Sequence, residues 1–358
     1  MYFNSKMRRW ASTMFVYSGF SRYAQRLHRD QPCVLMFHGV REPGDPGLLD
    51  TSLHIEESLF GDICQHLERK FHVVPLQSIL SAKRDGTPLR PGTVAITFDD
   101  GYASNHHLAF PILKRFELPA TIFPATGFLD KTELPWFLRL EFAIAKTQKK
   151  HVVEDVLGSP YGADLETTEQ RLAFMTRLQS AIKALPQEQV VPFMARLELD
   201  LACGMQNRAD WPDMFQPLTW DEAREMQASG LIDFGGHTHR HLILSRCQPG
   251  TARNEIQTCR DRLTAELGKA PVSFAYPNGQ KTDHNSATAD LLHQAGFNLA
   301  VTTEAGFVRQ ATNPFALPRH GSPISSHHAA ATVSGAFETF KQWRRAPFRI
   351  PRSAAAWS

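Results

Sequence analysis

Thr97-Phe98-Asp99-Asp100-Gly101-Tyr102 sets two carboxylates side by side. They follow Val94-Ala95-Ile96, an apolar run rich in β-branched residues that reads as a buried strand. Like charges so close push at least one pKa up, and a metal ion or cationic partner pulls them down. The pair therefore suits a division of labour: one aspartate binds a cation, the other handles protons. Gly101 lets the backbone turn sharply behind them. A plain strand-terminal turn is the bland alternative.

A second polar group, His237-Thr238-His239-Arg240-His241, follows the strand-like run Leu231-Ile232-Asp233-Phe234-Gly235-Gly236. His237 and His241 are four residues apart, so one helical turn would put both imidazoles on one face, with His239 pointing elsewhere. Neutral imidazoles at that spacing suit zinc and similar divalent ions; a solvated His-rich turn is the alternative. Two histidines and one carboxylate leave positions open for water and substrate, the catalytic rather than the structural pattern. The same ligand set serves non-haem iron oxygenases. Asp99 directly before Asp100, and the alternation of strands and helices, count against that reading.

Around these segments the chain resembles the polysaccharide deacetylases of carbohydrate esterase family four, in their exopolysaccharide branch. Residues 97–102 are similar to the family's first motif, continued by Asn105, Ala109, Pro111 and Leu118-Pro119-Ala120-Thr121-Ile122-Phe123. Leu218-Thr219-Trp220-Asp221-Glu222, then Gly236-His237-Thr238 with His241 and Leu244-Ser245, resemble the second. Phe274-Ala275-Tyr276-Pro277-Asn278-Gly279 resembles the third, and Cys33 to Val40 the opening strand. The likeness covers roughly residues 32–322. It implies an α/β fold, a distorted, incomplete barrel of about seven βα units. It also implies hydrolytic removal of acetyl groups from N-acetylated sugars of a polysaccharide or its lipid-linked precursor. Asp100, His237 and His241 would hold one divalent metal, zinc by default, with cobalt or nickel able to replace it. Asp99 would be the general base, and backbone N–H groups near Tyr276 and Asn278 would hold the substrate oxyanion. A non-catalytic saccharide-binding homologue is a further reading.

Two departures from the family pattern have consequences. Phe274-Ala275 stands where the family's third motif carries an arginine that orients the catalytic aspartate. Arg319, in Phe315-Ala316-Leu317-Pro318-Arg319-His320-Gly321, is expected to supply that guanidinium and pair with Asp99. The family's late Leu-x-His motif, source of the general acid, has no clear counterpart. His320 is one candidate acid, but neighbours on an extended segment face opposite ways, so Arg319 and His320 should not both enter the site. His38, ending the opening strand, is the rival proton donor or substrate contact.

The elements that must position these residues alternate between strand and helix, which implies a parallel sheet with its site at the strands' C-terminal ends. Helical spacing marks 55–71, 102–116, 219–229 and 251–267; strand patterns mark 120–123, 272–276, 299–302 and 315–317. Residues 130–216 read as a helical insertion, 1–31 as a basic helical segment, 32–322 as the deacetylase domain, and 323–358 as a helix (332–343) with a basic tail carrying Arg344, Arg345, Arg349 and Arg352.

A net charge of +3 on 358 residues gives no reason to expect nucleic acid. Five scattered cysteines without C-x-x-C spacing argue against a disulfide framework and for a reducing compartment. No run of about eighteen apolar residues predicts a membrane span. Lys6, Arg8 and Arg9 precede an apolar stretch interrupted by Ser12, Thr13 and Ser18, a poor signal peptide. With Trp10, Met14, Tyr17, Ala24 and Leu27 near one face, the segment reads either as a helix packed on the domain or as a basic amphipathic helix on an anionic membrane. These readings place the chain in the cytoplasm, at the inner membrane surface if the helix docks there.

Overall fold

A computed structural model describes residues 5–132, 134–156, 159–204 and 211–345. Arg349 and Arg352 lie outside the described residues. Residues 30–322 form one compact unit, and 5–29 with 323–345 another.

The larger unit carries strands β1 (Cys33–Phe37), β2 (Gly39–Arg41), β3 (His54–Glu56), β4 (His72–Val73), β5 (Thr93–Asp100), β6 (Ala120–Pro124), β7 (His151–Val156), β8 (Ser159–Asp164), β9 (Ile232–Phe234), β10 (Ser273–Ala275) and β11 (Leu299–Val301). β1, β5, β6 and β9 run parallel in that order, with Leu35 opposite Ile96, Ile96 opposite Ala120 and Ala120 opposite Ile232. β10 and β11 pair in parallel. Single parallel bridges join Gly236 to Phe274, Val301 to Leu317 and Leu35 to His320. They close the ring β1, β5, β6, β9, β10, β11 and the extended segment 317–320, a distorted (β/α) barrel of seven parallel members. The distortion lies in the last members, held by isolated bridges rather than full ladders.

β5 is buried along its whole length, as a strand covered on both sides must be, and Val94-Ala95-Ile96 and Phe98 make it a near-continuous apolar run up to Asp99. Val34, Ala95, Phe123, Ala275, Leu299, Val301 and Leu317 share one core cluster. The helices that return the chain between strands bury one stripe each; Glu57–Lys70 buries Phe60, Ile63, Cys64 and Leu67.

The insertion has its own core, with Trp136, Leu140, Phe174, Leu178, Phe193 and Leu197 in contact across three helices. It is not wholly helical, as the sequence pattern suggested: β7 and β8 form an antiparallel hairpin with His151 opposite Asp164. Val152 and Glu154 are buried between exposed His151, Val153 and Asp155, the two-residue period of a strand.

In the smaller unit, Ser5–Tyr17 and Phe20–Leu27 are separate helices broken at Gly19, whose φ is 78°. The terminal helix expected over 332–343 is likewise two, Ser326–Val333 and Ala336–Arg345, broken at Gly335 with φ 77°. Ala24 sits in the core with Ala331, Ala336 and Phe15, so it does not share an outer face with Trp10 and Tyr17. Among the described residues no helix is long and apolar enough to cross a membrane, and all five cysteines are free.

Candidate active site

Asp99 and Asp100 end β5, opposite Phe123 and Pro124 of β6. Asp100 adopts the left-handed region (φ 72°), and Gly101 follows with φ 87°. A Cβ on Gly101 would lie 2.7 Å from the Pro124 side chain, so the turn needs glycine for space as well as for conformation. Asp99 receives two hydrogen bonds from Arg319, Nη1 to Oδ1 at 2.7 Å and Nη2 to Oδ2 at 2.6 Å. Two further guanidinium N–H groups reach Thr97 Oγ1 and the Thr302 carbonyl, and Arg319 is fully buried. Burial pushes the Asp99 carboxyl up, but the Arg319 charge and hydrogen bonds outweigh it and hold the group below its usual range.

His237 and His241 come together without a helix. Their segment is a loop in which Thr238 (φ 62°) and His241 (φ 58°) are both left-handed. Other groups supply what a helical turn would have. Thr126 and Gly127 donate backbone hydrogen bonds to the carbonyls of Thr238 and His239. Glu255, buried on the helix Pro249–Leu267, accepts from the backbone N–H groups of His239 (3.1 Å) and Arg240 (2.7 Å) and pairs with Arg240 Nε at 2.7 Å. His237 Nδ1 donates to the Ala275 carbonyl at 2.7 Å, which leaves Nε2 with a lone pair.

That Nε2 lies 3.4 Å from Asp100 Oδ1, and His241 Nε2 lies 3.3 Å from the same oxygen. One ligand atom from each of Asp100, His237 and His241 falls within 4.8 Å of the others. Asp100 Oδ1 is buried and has no hydrogen bond, an arrangement that costs about 1–3 kcal/mol unless a cation meets it. The donor set, two imidazole nitrogens and a carboxylate, suits a divalent transition ion. Burial lowers His241 below its ordinary value, keeping it neutral and able to ligate. Burial also opposes ionisation of Asp100, but the two histidines draw its carboxyl well down.

The other expected site residues divide. His38 is half-buried beside this group, close enough for its charge to favour ionisation of both aspartates, and its carbonyl accepts from Asn105 Nδ2. His320 points the other way: its backbone bridges Leu35, and its ring lies 5.2 Å from Phe307, the alternation that separates it from Arg319. Tyr276 is a core side chain, stacked on His284 at 4.8 Å, and its N–H is spent on Val301, so it offers an oxyanion nothing. Pro277 has no N–H, which leaves the backbone N–H of Asn278; that residue is left-handed (φ 60°), and its side-chain Nδ2 donates to Asp283 Oδ2.

Sequence reasoning missed three contributors. Glu255 could have been noticed as an acid on the buried stripe Ala252, Ile256, Cys259 and Leu263. Phe137, from the insertion, lies 5.0 Å from the His241 ring. His54 meets the Tyr102 ring edge-on, centroids 4.7 Å apart, close to the aspartates. Nothing in the local sequence marked the last two.

A family model described as polysaccharide deacetylase matches residues 86–300, more than half of the chain. The poly-beta-1,6-N-acetyl-D-glucosamine N-deacetylase of Escherichia coli K12 is 40% identical over 63 residues, 18% of this chain and 9% of that protein. The match thus spans under a tenth of the relative's length. Among solved structures, a Streptococcus pyogenes deacetylase in complex with acetate superposes with a TM-score of 0.57 at 18% identity, covering 85% of this chain and 98% of that one. The IcaB structure from Ammonifex degensii gives 0.53 at 21% identity, covering 85% and 97%. At these identities the structures testify to the fold.

Proposed function

This chain belongs to the polysaccharide deacetylase family, and from that membership we propose that it hydrolyses the acetamide of N-acetylglucosamine units in a polysaccharide or its lipid-linked precursor. The observation that carries the proposal is the Asp100, His237 and His241 trio beside an Asp99 clamped by Arg319. Asp100, His237 and His241 would hold a divalent ion, which would supply Lewis acidity and make a nearby water more acidic. Asp99, kept ionised by Arg319, takes a proton from the attacking water as its oxygen bonds to the acetyl carbonyl carbon. The C–N bond then breaks, acetate leaves, and the amine takes a proton from His38, the histidine beside both aspartates. His320, turned onto Phe307, has no part in this scheme. Arg319 on Asp99 removes one reason to read the chain as a non-catalytic homologue, since the guanidinium absent from the third motif is supplied from elsewhere. Family membership likewise leaves the iron oxygenase reading without support.

The test is acetate release from β-1,6-linked N-acetylglucosamine oligomers and from chitin oligomers, with and without chelator. Chelator-sensitive release is expected, with the β-1,6 polymer preferred as in the name of the Escherichia coli relative. No release from either removes the reading.

The proposal extends to an anionic membrane surface, where a lipid-linked substrate would lie. Met7, Trp10, Met14 and Tyr17 form an exposed stripe on the helix Ser5–Tyr17, Trp10 being 69% and Tyr17 77% exposed. Residues 1–29 and 323–358 carry eleven Lys or Arg against one acid, Glu338, while the rest of the chain is net acidic. An apolar aromatic stripe amid basic charge fits an anionic interface. Flotation with phosphatidylglycerol vesicles is expected for the full chain and not for Trp10→Ser/Tyr17→Ser. Equal flotation rejects the surface.

A further inference from the structure

A second cluster of potential ligands lies on the π-helical turn Asn105–Ala109 and the helix Trp220–Ala228. His106 and His107 come from the turn, Glu222 and Glu225 from the helix. One ligand atom from each of His106, His107 and Glu222 lies within 4.8 Å of the others. Single π turns within helices are frequent at functional sites, and this one offers two consecutive imidazoles to one carboxylate.

The hydrogen bonds around the cluster leave a gap of a particular chemistry. Glu222 Oε2 is occupied by the helix cap, accepting from Thr219 N at 2.8 Å and Thr219 Oγ1 at 2.7 Å. Its other oxygen, Oε1, accepts from His107 Nε2 at 2.6 Å, a proton that a bound metal ion would displace, and lies 3.7 Å from His106 Nδ1. His106 Nε2 meets Glu225 Oε2 at 3.1 Å; a carboxylate only accepts, so Nε2 carries the proton. In the neutral imidazole Nδ1 is then a lone pair. It is shielded from solvent, makes no hydrogen bond, and looks toward a carboxylate oxygen. Two acceptors facing each other repel unless a proton or a metal ion sits between them. A metal-ligating histidine typically donates its other N–H to a carboxylate, the position Glu225 holds.

We infer that His106 Nδ1, His107 Nε2 and Glu222 Oε1 form a second divalent-metal site, with Glu225 as the outer partner that orients His106. Two imidazoles and a carboxylate select zinc, cobalt or nickel over magnesium or calcium. The ion would staple the turn that follows Asp99 and Asp100 to the helix that precedes β9. Its role is structural support of those two elements, separate from the hydrolytic reaction.

The experiment is titration of metal-stripped full-length protein with zinc against a chromophoric chelator, with thermal melts alongside. Wild type is expected to take two equivalents. His106→Ala/His107→Ala keeps one, and His237→Ala keeps the other. In His237→Ala zinc still raises the melting temperature; adding the His106→Ala/His107→Ala pair abolishes that rise. Glu225→Gln weakens the second equivalent roughly 10–100-fold. A single wild-type equivalent lost with His106→Ala/His107→Ala but kept in His237→Ala upholds this site and removes the one at Asp100. If His106→Ala/His107→Ala binds as much zinc as wild type, the inference is overturned.

Discussion

Arg319 grips Asp99 through two parallel hydrogen bonds of 2.7 and 2.6 Å, a fork that fixes both the charge and the direction of the carboxylate. Both groups are buried, so the pair is worth most as geometry. Arg319→Lys keeps the charge and loses the fork; turnover is expected to fall by about 10²-fold with the metal retained. Arg319→Met leaves a buried carboxylate with its partner removed, costing about 3–5 kcal/mol of stability. With the guanidinium gone, burial pushes Asp99 above the usual carboxylate range, so the acid limb of the pH–rate profile moves to higher pH. Unchanged turnover and an unmoved acid limb in both variants would refute the pairing as a working part of the site.

The two aspartates should separate cleanly. Asp99→Asn removes a base and leaves Asp100, His237 and His241 in place; metal content should persist while activity drops about 10²–10⁴-fold. His237→Ala should lose both the metal at that site and activity. Chelation of wild type should abolish turnover, and zinc or cobalt should restore it. Metal analysis with acetate release decides the point; an Asp99→Asn enzyme with full activity contradicts the assigned roles.

His54 sets an acid limit on the larger unit. It is buried against Tyr102, and burial together with the nearby His38 charge lowers its pKa to about 4, from 6.5 in the open chain. The folded state therefore binds this proton less readily than the unfolded state. The resulting stability is full above pH 6.5 and is lost as pH falls toward 4, up to about 3 kcal/mol from this group. Denaturant melts across that window should show a steeper loss in wild type than in His54→Gln. Parallel curves would mean that His54 is not held neutral by the fold.

The candidate site of this chain was legible where a polar residue interrupts an apolar pattern. Asp99 and Asp100 end a buried strand, His237 and His241 follow another, and alternation on the last segment sends Arg319 and His320 to opposite sides. Less legible was backbone that non-local contacts stabilise. The loop 237–241 needs two left-handed residues other than glycine, which no local preference requests; Thr126, Gly127 and Glu255 hold it from elsewhere in the chain. Tyr276 lies within a matched motif, yet its ring belongs to the core beside Phe274, where its size fills space. The hairpin β7–β8 was overlooked because Glu154, a polar residue on the buried face, obscures the alternation.

Glu255 is where the loop's geometry can be tested apart from its ligands. The carboxylate hydrogen-bonds neither Asp100 nor the Nε2 atoms of His237 and His241, but it accepts the N–H groups of His239 and Arg240, midway between His237 and His241. Without it, those donors would be left unmet and the left-handed conformations of Thr238 and His241 would lose their brace. Glu255→Ala is therefore expected to weaken metal binding roughly 10–100-fold, with turnover largely recovered once the metal is raised to saturation. Glu255→Gln keeps one acceptor oxygen for the backbone and should fall between wild type and alanine. A direct catalytic role predicts a different pattern, a lowered turnover number that no added metal repairs. Competition titration and saturation kinetics on the same preparations separate the two, and metal affinity equal to wild type in Glu255→Ala would show that the loop holds its shape unaided.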